Sequence, residues 1–192
     1  MIGRTHALAA FTALGVVYFG GSVQTMSLAT VLVGLLANQI GAIAPDIDQP
    51  TAPLWRNLPI GGMIGKIIDR LLGGHRFLTH SLIGLAIFGG LLHLLLVLWQ
   101  PIMSLVNIDL VWAAFMIGML SHLVMDSFTK EGVPWLLPIP VKFGLPPIRS
   151  LRITSGKKIE NFIIVPGFVA VNIFFYATHY SQLISRIHQS IT

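Results

Sequence analysis

Residues 73–99 read GGHRFLTHSLIGLAIFGGLLHLLLVLW. The apolar run from Phe77 to Leu98 is long enough to cross a bilayer, which takes about 20 residues of helix, and His75, Arg76 and His80 sit at its mouth. Working outward, further apolar runs fall at Ala7–Ser22, Met26–Ala44, Leu110–Met125 and Phe162–Ala177. Met26–Ala44 is also of full length, whereas the other three need flanking residues to complete a crossing. The first run follows Arg4, as a leader would, but no clear small-x-small cleavage site separates it from the next. The reading is an all-α integral membrane protein: one domain over residues 1–192, a bundle of about five transmembrane helices with interfacial loops.

Composition points the same way. Charged residues make up 10% of the 192, against about 25% in soluble domains, and mean hydropathy is +0.80. Such a chain cannot cover a globule with polar side chains, so its solvent is lipid. There is no cysteine, so disulfides and thiolate metal sites are excluded and any metal is bound through nitrogen and oxygen. Lys and Arg number 12 against 7 Asp and Glu. In a hydrophobic chain that excess belongs to loops lying against anionic headgroups; membrane lipids are the expected partners and nucleic acid is not. Phosphate-loop, dinucleotide and Gly-x-Ser-x-Gly fingerprints are absent.

The loop charges orient the spans. Gly20–Thr25 and Trp99–Asp109 carry no Lys or Arg, whereas Pro45–Arg76 and Asp126–Asn161 are basic. With five spans, eleven of the 12 Lys and Arg share one side and Arg186 alone lies on the other. By the positive-inside rule that side is cytoplasmic, as in a bacterial inner membrane. Pro134, Pro138, Pro140, Pro146 and Pro147 exclude long helices from the second basic loop.

On this topology every span brings an ionisable group to the same face. His6 enters the first; Asp46 and Asp48 close the second; His75 and His80 open the third; His122 and Asp126 close the fourth; Glu160 opens the fifth. Charges near a membrane cost several kcal/mol unless paired or metal-bound, so the convergence points to a site. His122 and Asp126, four apart, share a helix face within reach of one cation, although a plain helix-end ion pair would look the same. Asp46 and Asp48 alternate, so an extended chain puts both carboxylates on one side, as ligands or with one orienting a histidine. The glycines before His75 place it in a turn and His80 on the helix, with Arg76 at i, i+4 able to hold an anionic oxygen. The bland alternative for Arg76 is a side chain snorkelling to the interface. His93, deep in the third span, is expected to hydrogen-bond a neighbouring helix. His179 and His188 fall on the far side.

The ordered set Pro45-Asp46-Ile47-Asp48-Gln49-Pro50, Gly74-His75-Arg76-Phe77-Leu78-Thr79-His80-Ser81 and Ser121-His122-Leu123-Val124-Met125-Asp126, continuing through Gly132-Val133-Pro134, Leu145-Pro146 and Glu160, resembles the YdjM-like family. That family is described as LexA-binding, inner-membrane-associated metal-dependent hydrolases. It is distantly similar to zinc phospholipase C and the zinc single-strand nucleases, all-α enzymes with His, Asp and Glu around a zinc cluster. Their His-x-x-x-Asp pair resembles His122 and Asp126, and a later Glu ligand corresponds to Glu160. The further histidines those enzymes carry after the pair have no counterpart on this face, so the resemblance implies one or two metals rather than three.

Together these readings predict a hydrolase of phosphate esters, of lipids among others. Zn²⁺, or alternatively Mn²⁺, would be held by some of His6, Asp46, Asp48, His75, His80, His122, Asp126 and Glu160. Asp46 or Asp48 would serve as bridging ligand or base, and Arg76 would stabilise phosphate charge. One rival is a non-catalytic protein with a structural metal and a docking surface for a regulatory partner, distinguished by a site closed to water. The other is a transporter, which would concentrate ionisable groups at mid-membrane.

Overall fold

The computed structural model describes residues 1–21, 26–139 and 141–188. Its helices are α1 (Gly3–Gly20), α2 (Leu28–Ile43), α3 (Pro53–Arg56), α4 (Gly61–Leu71), α5 (Leu82–Trp99), α6 (Ile108–Ser127), α7 (Val165–Thr178) and α8 (Tyr180–His188). A 3₁₀ turn, Ala44–Asp48, prolongs α2; another, Leu78–His80, precedes α5; a π-helical turn, Glu160–Ile164, leads into α7. Two isolated β-bridges, Thr129 with Ile153 and Val133 with Phe143, tie down the second basic loop, and no strand occurs among the described residues. The starts of α2, α5 and α6 follow the capping rule: Ser27, Ser81 and Asn107 each accept a hydrogen bond from a first-turn N–H.

The protein is an all-α integral membrane protein. Among the described residues four helical segments are long and apolar enough to cross a bilayer: Leu28–Asp48, Leu82–Trp99, Ile108–Ser127 and Glu160–Thr178. Of the about five expected spans, α1 is the one outside these four. It forms over 18 residues, but Arg4, Thr5 and His6 fill its first turn and lower its apolarity below that of the other four. It still packs as a bundle member. Tyr176 donates to Phe11 O, and Thr12 Oγ1 donates to Asn172 Oδ1 at 3.0 Å, fixing α1 beside α7.

The centre of the bundle is the parallel pair α2 and α6. Gly41 and Gly118 face each other across it: a Cβ on Gly41 would meet the Phe115 carbonyl, and one on Gly118 would meet the Asn38 carbonyl. Small residues let backbones approach this closely in lipid. Asn38 Nδ2 then donates to Ala114 O at 3.0 Å. Phe115, Met119 and Leu123 of α6 fill the buried core beside this contact.

Two further expectations change. The first basic loop contains an unforeseen helix, α4, which seats Gly61 and Gly65 on Trp55 and leaves Met63, Ile67 and Leu71 exposed in a stripe. His93 is exposed on α5; its recorded contact is edge-to-face with Trp112, ring centroids 6.4 Å apart, not a hydrogen bond to a neighbouring helix.

Candidate metal centre

Four elements end at one place. The first turn of α1 brings His6, the 3₁₀ turn after α2 brings Asp46 and Asp48, the turn before α5 brings His80, and the last turns of α6 bring His122 and Asp126. Two sets of donor atoms each lie within 4.8 Å of one another: His6, His122 and Asp126, and Asp46, His80 and His122. All are fully buried or nearly so except Asp46, which is 21% exposed.

Two of the three histidines, His122 and His80, are held in defined tautomers. His122 Nδ1 donates to Ala42 O at 2.6 Å, which leaves its Nε2 lone pair free, 3.6 Å from Asp46 Oδ1 and 3.7 Å from Asp126 Oδ2. For His80 the logic runs through Thr79. The Thr79 hydroxyl donates to Asp48 Oδ2, so its oxygen accepts from His80 Nδ1 at 2.9 Å. His80 Nε2 is then free, 3.8 Å from Asp46 Oδ1 and 3.7 Å from Asp126 Oδ2. His6 stacks on His122 with ring centroids 3.6 Å apart, and its Nε2 lies 3.3 Å from Asp126 Oδ1.

Asp46 and Asp48 would share one side only in an extended chain; the 3₁₀ turn sends them different ways. Asp46 faces the free imidazole nitrogens. Asp48 anchors the His75–Thr79 loop, accepting from His75 Nδ1 at 2.7 Å, from Arg76 N at 3.1 Å and from Thr79. His80 also departs from expectation: it sits in the turn before α5, not on the helix. Gly84 makes this possible, because a Cβ there would strike the Leu78 carbonyl. Arg76 adopts a left-handed backbone, φ 60°, uncommon for a non-glycine residue. Burial opposes charge on His75, but its hydrogen bond to Asp48 and the Asp48 and Asp46 charges outweigh burial and raise its pKa.

Four predicted site residues stand outside the two donor sets, Asp48 with its loop contacts among them. His75, 31% exposed, is tied to Asp48. Arg76 is 5% exposed and turned inward: its Nη2 pairs with Asp126 Oδ2 at 2.8 Å and its Nη1 donates to Thr129 Oγ1 at 2.9 Å. Glu160 accepts from Ile2 N at 2.8 Å, Thr5 Oγ1 at 2.7 Å and Gly156 N at 2.6 Å, so Oε1 already holds the start of α1 and Oε2 the turn at Gly156. Residues without a sequence signal of their own do the orienting: Thr79 for His80, the Ala42 carbonyl for His122, Thr129 for Arg76 and Thr5 for Glu160.

The donors fit a divalent cation. Among the described residues, His6 Nε2, His80 Nε2 and His122 Nε2 are buried with no hydrogen-bond partner, and each orphaned buried group costs about 1–3 kcal/mol. A cation of the Zn²⁺ or Mn²⁺ kind suits imidazole and carboxylate ligands and would satisfy them together.

Fold and cluster define a polytopic membrane protein with a buried candidate metal centre. The model of the YdjM inner membrane protein family matches residues 1–183, and the chain belongs to that family. It is 24% identical over 184 residues to the protein YvsG of Bacillus subtilis (strain 168), covering 95% of this chain and 99% of that one. It is 36% identical over 127 residues to the inner membrane proteins YdjM of Escherichia coli (strain K12) and of Shigella flexneri, covering 66% of this chain and 59% of each of those. No solved structure matches the chain.

Proposed function

We propose that this protein is a metal-dependent hydrolase of phosphate esters working at the cytoplasmic face of the inner membrane, with Zn²⁺ its preferred ion and Mn²⁺ the alternative. The observation that carries the reading is the convergence of orphaned imidazole nitrogens from three elements, α1, the turn before α5 and α6, on the Asp46 and Asp126 carboxylates, with Asp46 still partly open. A purely structural metal would favour a closed site. The open edge at Asp46 supports catalysis over that alternative.

His6, Asp46, His80, His122 and Asp126 would hold the ion. His122 belongs to both donor sets, yet its Nδ1 is engaged by Ala42, so its Nε2 serves one ion at a time. The two sets are therefore two outlines of one single-ion site. A bound divalent cation supplies Lewis acidity and lowers the pKa of a ligated water towards about 7. The residues do the rest. Asp46, on the exposed edge, is the carboxylate placed to take a proton from an entering water. Asp48 and Thr79 keep His80 Nε2 unprotonated. Arg76 holds Asp126 in place from inside and balances its charge, rather than reaching out to substrate.

The test is elemental analysis of the detergent-purified chain beside a His122→Ala, Asp126→Ala double variant, followed by phosphodiester hydrolysis with and without chelator. The expected result is about one zinc or manganese per chain, lost in the variant, with hydrolysis that follows the metal. Absence of metal after adding it back, or metal-replete protein inert towards phosphomonoesters and phosphodiesters alike, would overturn the hydrolase reading in favour of a protein that docks a regulatory partner through its basic loops.

A further inference from the structure

A separate cavity lies further along the bundle. A cavity of about 220 Å³ opens between α1, α2, α6 and α7, walled by Leu14, Gly34, Leu35, Ala113, Ile117 and Tyr176 among others. Along α6 the lining runs from Ile117 to Leu110, roughly 8 to 18 Å from His122 at about 1.5 Å per residue, so the cavity extends from the middle of the bundle towards the end away from the metal cluster. Its inner walls are apolar. Its outer end is not: Tyr18 lines it, and the Tyr18 hydroxyl is buried with no hydrogen-bond partner among the described residues. Buried tyrosine hydroxyls usually find a partner. Beside it, Arg186 of α8 lies over the Tyr18 ring at 5.1 Å and donates to Tyr18 O at 2.9 Å. Among the described residues Arg186 pairs with no carboxylate. Leu183, one turn earlier on α8, closes the same end of the cavity.

A ligand matching these features has an apolar tail, a hydrogen-bond acceptor near its polar end and a negative charge beyond that. We propose that the cavity holds an acyl chain of an anionic phospholipid, with an ester carbonyl accepting from the Tyr18 hydroxyl and a headgroup of net negative charge, free of any ammonium that Arg186 would repel, facing Arg186. A lipid is the occupant because the cavity is walled by membrane helices whose surroundings are acyl chains, and because the polar groups cluster at the end nearest the headgroup layer. Arg186 selects for negative charge: it is the single Lys or Arg that the loop-charge pattern leaves on this side. The site does not depend on the metal reading, since none of its residues touches the cluster.

The experiment uses the full chain, delipidated in detergent, given phosphatidylglycerol or phosphatidylcholine and examined by native mass spectrometry. One phosphatidylglycerol retained per chain is expected, with at least fivefold preference over phosphatidylcholine. Arg186→Gln should bring that preference close to even, and Tyr18→Phe should lower retention severalfold. Gly34→Leu should abolish retention of both lipids: a Cβ at Gly34 meets only Ala114 Cβ, at 3.9 Å, so the backbone accepts it and the rest of the side chain fills the cavity. Equal retention of the two lipids by the native chain, or unchanged retention in Gly34→Leu, would mean an annular lipid only and would overturn the proposal. Should Gly34→Leu fail to fold, Tyr18→Phe decides alone, because it removes one oxygen without changing shape; unchanged retention then overturns it.

Discussion

Thr79 has one hydroxyl proton, and Asp48 receives it. That single bond determines which nitrogen of His80 is available, because the Thr79 oxygen then accepts from Nδ1 and leaves Nε2 as a ligand. Partners of this kind typically change metal affinity 10–100-fold when removed. Thr79→Val keeps the shape and loses the hydroxyl, so zinc affinity by chelator competition should fall by about that factor, while Thr79→Ser should bind nearly as the native chain does. Native affinity in Thr79→Val would show that His80 is not a ligand. Glu160 makes the opposite kind of case. The resemblance assigned it to the metal, but three donors already occupy its carboxylate. Glu160→Gln should therefore lower the melting temperature of metal-free protein, with any loss of metal binding following from loosening of α1. A variant that melts normally without metal yet binds none would restore Glu160 as a ligand.

At the scale of elements, the cluster depends on how closely α2 and α6 approach. Gly41 and Gly118 allow the contact, and the Ala42 carbonyl that orients His122 follows directly from it. Gly118→Ala sets a methyl against the Asn38 carbonyl, so the helices must part. Overpacking of this kind costs about 1–3 kcal/mol, and the variant should melt several degrees lower and bind metal more weakly, because Ala42 and His122 move apart. Unchanged melting and metal affinity would mean that the pair is not the frame of the site. The spans and their shared polar face were legible because a helix end is a position along the chain. Rotation about a helix axis is not, so His93 was expected to bond a neighbour and is instead exposed. The α4 helix was hidden for another reason. Gly61, Gly62 and Gly65 weaken intrinsic helix preference, and only packing of Gly61 and Gly65 onto Trp55 shows why they are tolerated.

For the whole molecule, orientation decides what the cluster can meet. His6, Asp46, His80, His122 and Asp126 lie at one end of the bundle, and the two basic loops begin or finish there, joined to it by Arg76 and by the contacts of Glu160. Eleven of the 12 Lys and Arg are on that side, and basic residues near span ends are retained in the cytoplasm. Cluster and charge therefore predict one topology from independent properties, the first from where donors converge and the second from loop composition. The chain has no cysteine, so single cysteines report position without background. Lys157→Cys should react with a membrane-impermeant maleimide only after the cytoplasmic side is opened, and Gln182→Cys should react from intact cells. The two sites flank α7, one of the four crossing helices, so their labelling must be opposite if α7 spans. Labelling of both from one side would remove that crossing and, with it, the placing of the α1 histidine at the face where α6 ends. Opposite but reversed labelling would keep the bundle and the metal cluster intact. It would turn the cluster outward, and the substrates to screen would then be those of the periplasmic leaflet.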